Sequence, residues 1–531
     1  MPSGKDTAIR EGDDTSVRPD RMKYLPYLAG IIVSSILYMF GTFKYGIGLS
    51  TDSVKYFSAA DSIAGGNGFE IYSGELYYQY SPLTPMMLSI FPLLGIDTLA
   101  GAEIFFLLVY VLNVTLGLYI LNMVIRSNKV KIIGMIMIMF SLSLYRVSTM
   151  LYSEPLFILL TQASLIFLYK YIRDRRNYQF VILIGFSALA CLCRYVGIIL
   201  LITSAVIIVL TLKGPLVRRI GLAAVYGFSS GIPTLVFVAR NYHLTDTLLG
   251  ERYGSNYGIL DNLIFVSRTI TGWFVPDFLI MDLFVLAYGL LAAAAVVLIV
   301  INISGMKKLM TNNKMLMIML CFSIIYIVYL VVSASRIGFD TLNNRFLSPV
   351  NLPVFICILI GVDIYHRRME KVPSPRSSKT GSRKYIGYFL IVALIVMSLS
   401  QIGLTGMRVY RNYSVGSGGY NVDEFHDSDI IGYLKENDLD GYIYTNCPEA
   451  LFLFLDINDA RLSPRETYQA SYERANELPG FNESISSVRD TYIVWFDTVS
   501  RSYLYDITEL GKLYNLTLIL DFSDGSIYRL E

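Results

Sequence analysis

Long apolar runs separated by short polar ones organise this chain. Uncharged stretches begin near Tyr24, Gly101, Ile132, Pro155, Tyr178, Val196, Ile220, Leu283, Met315, Phe346 and Tyr385. Each is about twenty residues, the length at which a helix crosses a ~30 Å hydrocarbon layer. The pattern predicts about eleven transmembrane helices. A further apolar stretch, Leu76 to Ile96, is broken by Pro82, Pro85 and Pro92. Proline removes a helical hydrogen bond and clashes with the preceding turn, so this stretch reads as a membrane-surface or re-entrant segment.

After Thr405 the pattern changes to Gly, Asn, Asp, Tyr and charge. Asp429 to Glu436, Pro448 to Leu455 and Ser502 to Leu513 have helical character, whereas Tyr442 to Tyr444 and Tyr492 to Phe496 are strand-like. Leu516 to Asp521 and Ser526 to Leu530 flank Asp524-Gly525, a hairpin signal. The chain therefore divides into a disordered cytoplasmic tail (1–23), a transmembrane domain (24–405) with long outer loops at 44–100 and 240–282, and a small extracytoplasmic α/β domain (406–531).

Composition supports the membrane reading: 54% of the 531 residues are hydrophobic, 16% are charged, and mean hydropathy is +0.51. With a net charge of only +2, nothing points to a nucleic-acid partner, and positive charge matters through its placement. More than half of the 44 Lys and Arg fall in the amino-terminal tail and in the loops after the second, fourth, sixth, eighth and tenth spans. The positive-inside rule then puts the amino terminus in the cytoplasm and the carboxyl terminus outside a multi-pass plasma-membrane protein. The five cysteines have no disulfide or zinc spacing, and His243, His366 and His426 are scattered.

Candidate chemistry gathers on the outer side. Asp52 opens a short amphipathic helix in which Tyr56, Ala59, Ala60 and Ile63 share a face; its plain role is to cap that helix, worth roughly 1 kcal/mol. Arg194, Arg252, Arg336 and Arg345 lie at the same face, as do Glu75, Glu154 and, in the first outer loop, Asp61. Each arginine alone reads as a snorkelling residue. Together, facing a carboxylate, they form a site where an acid activates a hydroxyl and guanidinium groups neutralise a departing phosphate. The chain has no GxxxxGK[ST] loop and no HExxH.

Six motifs occur in order: Asp52 with Tyr56, Ala59-Ala60 and Gly66-Asn67-Gly68-Phe69, then Tyr80-Ser81-Pro82-Leu83-Thr84-Pro85; Ser153-Glu154-Pro155-Leu156; Arg194-Tyr195-Val196-Gly197; Arg240-Asn241; Gly250-Glu251-Arg252; and Asn344-Arg345-Phe346-Leu347-Ser348-Pro349. This series resembles the GT-C glycosyltransferases of the protein mannosyltransferase and aminoarabinose transferase group. The resemblance implies a polytopic α-helical fold with a small outer α/β domain. It further implies transfer of a sugar from a polyprenyl-phosphate donor to a glycan, lipid or protein acceptor, with inversion. Asp52 matches the family's first-loop acid as general base, and Arg252 and Arg345 match basic positions of its outer loops by local context; with Arg194, in the short turn Cys193-Arg194-Tyr195, they are the candidates for binding the donor phosphate, and Tyr56, Asp61, Glu75, Glu154 and Arg336 are supporting candidates. Ser53 stands where many relatives carry a second acid. That leaves the metal question open, a divalent cation included, unless Asp61 or Glu75 substitutes. No other cofactor is implied. The alternative is a transporter or flippase of lipid-linked sugars, against which stand the few charges within the spans, the absence of an inverted repeat, and polar residues gathered at one face rather than at the midplane.

Overall fold

The computed structural model describes residues 24–275, 313–370, 378–486 and 490–530. Among them, eight helices are long and apolar enough to cross a membrane: Leu25–Thr42, Thr98–Val124, Asn128–Ser148, Glu154–Asp174, Leu216–Thr245, Lys314–Ala334, Asn344–Arg367 and Gly387–Val415. They coincide with eight of the expected spans. The fifth and sixth expected spans are the shorter helices Asn177–Cys193 and Tyr195–Thr211, and the eighth, from Leu283, lies outside the described residues.

The outward faces of these helices are apolar. On Leu216–Thr245, Phe228, Leu235 and Val236 are exposed, an arrangement that hydrocarbon stabilises and water does not. Between helices, polar side chains bond to one another: Asn113 donates to the Pro155 carbonyl at 2.9 Å and accepts from Gln162 at 2.9 Å. The protein is a multi-pass α-helical membrane protein. The stretch with three prolines forms two short helices, Leu83–Leu88 and Ile90–Leu93. Eleven residues of helix span only roughly 16 Å, too little to cross.

The last membrane helix continues to Val415, and all strands among the described residues follow it. A two-stranded pair, β1 (Gly416–Gly418) and β2 (Asn421–Val422), leads into a five-stranded sheet of β3 (Tyr442–Thr445), β4 (Arg461–Leu462), β5 (Thr491–Phe496), β6 (Leu516–Phe522) and β7 (Gly525–Leu530). The spatial order is β4-β3-β5-β7-β6. β3 runs parallel to β4 and β5, and β7 is antiparallel to β5 and β6. The β6–β7 hairpin closes Phe522 on Gly525. The helix expected from Ser502 begins at Ile507, because Asp506 caps it with a reciprocal Glu509 box.

This domain packs directly on the first long loop. Phe452, on helix Pro448–Leu455, stacks on Tyr72 with ring centroids 4.4 Å apart and on Phe57 at 5.8 Å. The helix that begins beside Asp52 therefore lies between membrane helices and sheet domain.

Candidate active site

Asp52 is the second residue of helix Thr51–Ala64. The cap is Ser50 rather than Asp52: the Ser50 hydroxyl accepts from the Ser53 amide at 3.3 Å, and the Ser53 hydroxyl accepts from the Ser50 amide at 2.9 Å. With capping done elsewhere, the Asp52 carboxylate is free for other partners while keeping the favourable field of a helix amino terminus. Ser53 also gives its hydroxyl to the Leu151 carbonyl at 2.8 Å. Ser53 is thus a buried structural contact.

Asp52 Oδ1 accepts from the Tyr80 hydroxyl at 2.9 Å, and Oδ2 accepts from Arg345 Nη2 at 2.5 Å. Arg345, at the start of helix Asn344–Glu370, also donates from Nε to Glu154 Oε1 at 2.6 Å. The same Glu154 oxygen lies 2.5 Å from Arg194 Nη1, which donates to Ser153 Oγ at 2.8 Å. The Arg345 guanidinium also sits 4.2 Å from the centre of the Tyr152 ring. Two carboxylates and two guanidinium groups form one neutral chain, Asp52–Arg345–Glu154–Arg194.

The members differ in access to solvent. Glu154 is fully buried, whereas Asp52, Arg345 and Arg194 keep 21%, 18% and 17% of their side chains exposed. Buried charge is tolerated only when paired, so Glu154 acts as the anchor and the other three reach into open space. Burial opposes ionisation of Asp52, but the Arg345 charge and hydrogen bond, with Tyr80 and Lys55, outweigh it and hold the carboxyl below the usual range. Burial and the Asp52 charge push the Tyr80 hydroxyl well above its ordinary value, so it stays a donor.

Two cavities meet at this chain. One, of about 390 Å³, runs along Arg194, Arg252, Tyr326, Leu330 and Phe346. The other, of about 510 Å³, is walled by Lys55 and Tyr152 and, from the sheet domain, Glu449, Arg465, Tyr468 and Arg501. Asp52, Gln79, Tyr80, Gly338, Asp340, Arg345 and Gln469 line both. A roof over the junction joins three segments: Tyr253 stacks on Tyr468 at 3.4 Å, Gly338 donates to the Tyr253 carbonyl at 2.9 Å, and Gln469 donates to Asp340 at 3.3 Å.

The fold thus brings together Asp52, Tyr56, Glu154, Arg194 and Arg345, with Arg252 on the wall of the first cavity, where its Nη2 donates to the Leu249 carbonyl at 2.8 Å. Asp61 and Glu75 line neither cavity. Asp61 stands nine residues along the helix, roughly 13 Å from Asp52 in axial rise, and accepts from Thr98 at 2.5 Å. Glu75 is exposed in a turn and Arg336 is exposed at the end of Lys314–Ala334. The carboxylate closest to Asp52 in this network is instead Glu154, through Arg345. Among the described residues, no three of His, Cys, Asp and Glu converge as metal ligands. Sequence reasoning missed Tyr80, Tyr152, Gln469 and Arg501 as site residues; only Tyr80 carried a signal, its place in the Tyr80-Ser81-Pro82 motif.

The architecture matches solved membrane proteins over nearly the whole chain. ArnT from Cupriavidus metallidurans, solved in the apo state and bound to undecaprenyl phosphate, aligns at 11% identity and a TM-score of 0.56, covering 96% of this chain and 98% of that one. The fold is the GT-C membrane fold. Another structure with the GT-C fold, the archaeal oligosaccharyltransferase AglB from Archaeoglobus fulgidus in complex with an inhibitory peptide and a dolichol-phosphate, aligns at 10% identity and a TM-score of 0.51, covering 96% of this chain and 74% of that one. No family model and no curated protein sequence matches the chain. At such identities the likeness concerns the GT-C fold, and the chemistry rests on the residues.

Proposed function

We propose that this protein is a membrane glycosyltransferase that moves a sugar from a polyprenyl-phosphate donor to an acceptor at the non-cytoplasmic face. The observation that carries the reading is the meeting of two cavities at Asp52 and Arg345. The first cavity combines arginines with apolar Leu330 and Phe346, as a lipid phosphate requires; the second is the more polar room and suits an acceptor. That ArnT was solved with undecaprenyl phosphate supports the choice of carrier.

In the proposed step, Asp52 takes the proton of the acceptor hydroxyl while its oxygen attacks the anomeric carbon. A new C–O bond forms, the bond from that carbon to the phosphate oxygen breaks, and the lipid phosphate leaves with the electron pair towards Arg345, Arg194 and Arg252. One displacement inverts the anomeric configuration. Arg345 holds Asp52 ionised but weakly basic. A donor phosphate that competes for Arg345 loosens this hold and makes Asp52 a better base when substrate is present.

The test is turnover of a radiolabelled polyprenyl-phosphate sugar by purified protein in proteoliposomes. Release of polyprenyl phosphate, or label on an acceptor, supports the reading. Passage of intact donor across the bilayer without bond cleavage would replace it with a flippase.

A further inference from the structure

The residues before Asp52 are strapped on both sides. On the membrane-domain side, the Gly48 amide donates to the Thr149 carbonyl at 2.9 Å and the Leu151 amide to the Gly48 carbonyl at 2.9 Å. On the other side, the Leu49 amide donates to Gly418 at 3.2 Å, the Tyr420 amide to Leu49 at 2.7 Å, and Asn421 Nδ2 to the Ile47 carbonyl at 2.8 Å. The second strap belongs to the chain entering the sheet domain.

It ends on a buried hydroxyl. Tyr420 Oη donates to Glu449 Oε2 at 3.1 Å and accepts from Arg501 Nη2 at 3.1 Å; Thr51 Oγ1 lies 3.1 Å away. A tyrosine has one hydroxyl proton, here given to Glu449, so Thr51 must be the donor in its contact. Arg501 and Glu449 pair directly at 2.6 Å, with only 11% and 5% of their side chains exposed. Every hydrogen-bonding position of the hydroxyl is filled, and one partner is the residue next to Asp52.

We propose that the Glu449–Arg501 pair of the sheet domain is a positioning device for Asp52, acting through the Tyr420 hydroxyl and Thr51. The inference rests on the reading of Asp52 as the base. A buried ion pair gives little net stability over apolar packing, so stability alone does not account for it. Its place does: both residues wall the cavity assigned to the acceptor, beside a carboxylate that must be held within about half an ångström to act.

The test uses the full chain in the transferase assay. Tyr420→Phe keeps the packing and removes only the junction. It should lower kcat by about tenfold to a hundredfold, with the KM values of donor and acceptor unchanged within about twofold, because misplacement of a reacting group falls on turnover. Combined with Asp52→Asn it should add no further loss, since both act on one step. Glu449→Gln/Arg501→Met, which removes both charges together and so leaves no lone buried ion, should reproduce the kcat loss while thermal unfolding stays cooperative. Wild-type kcat in folded Tyr420→Phe and in the double variant overturns the proposal. A loss confined to the acceptor KM also overturns it and assigns Arg501 to acceptor binding. Asp52→Asn with full turnover would instead sink the assignment of the base, a separately readable result.

Discussion

Arg345 Nη2 lies 2.5 Å from Asp52 Oδ2 across 293 residues of sequence. That contact holds the carboxyl ionised, and in the proposed reaction a donor phosphate that competes for Arg345 makes it a better base. Asp52→Asn should abolish turnover, by at least about a hundredfold, the usual scale for removing a general base. Arg345 keeps Glu154 as partner, so the melting temperature should move little. Differential scanning fluorimetry beside the activity assay checks both halves.

Glu154 should behave in the opposite way. It is fully buried and satisfies two arginines at once. Glu154→Ala leaves Arg194 and Arg345 without their shared anion, at a cost of about 3–5 kcal/mol. The expected result is poor yield and a clearly lowered melting temperature, with any folded fraction inactive. A variant as stable as the parent would show that the pair is not the anchor described.

Activity should persist to unusually low pH. The Asp52 carboxyl is held below the ordinary range mainly by Arg345 against the opposing effect of burial, with Tyr80 adding a hydrogen bond. The acid limb of kcat/KM, which reports the free enzyme, should therefore lie below the ~3.9 of a free aspartate. Tyr80→Phe should move that limb upward. For stability the sign is the same: a depressed carboxyl contributes fully above its unfolded value, and the contribution is lost as pH falls through the folded one.

Arg252 stands on the wall of the first cavity and is exposed. Arg252→Ala should raise the donor KM by about tenfold, the worth of one charge-assisted bond to phosphate, with stability unchanged. Titration with polyprenyl phosphate as a competing ligand measures the same loss directly. Equal affinity in the variant would remove Arg252 from the donor site.

Gly419 has φ +67°, and a β-carbon there would overlap the Leu49 carbonyl. Gly419→Ala should push apart the strap that holds the Asp52 helix, costing about 1–3 kcal/mol in backbone strain and lowering kcat. Circular dichroism melts with parallel kinetics read the two effects. Retained stability and rate would mean the strap yields without moving Asp52.

The apolar runs by themselves determined the membrane class and eight of the spans, because a helix in hydrocarbon must satisfy its backbone internally and show apolar side chains outward. They determined the sheet-domain hairpin too, since Asp524-Gly525 is a local signal. Asp52, Arg194, Arg252 and Arg345 were legible as candidates through motif order on one face. Which of these share a carboxylate was not legible: Glu154 looks like one more loop acid until the fold seats two arginines on one of its oxygens. Likewise the roles of Tyr420, Glu449 and Arg501 exist only because the sheet domain folds back onto residues 47–52. Local pattern encodes which element forms and which face it buries; a contact spanning hundreds of residues depends on how the elements pack, and only the tertiary structure decides that.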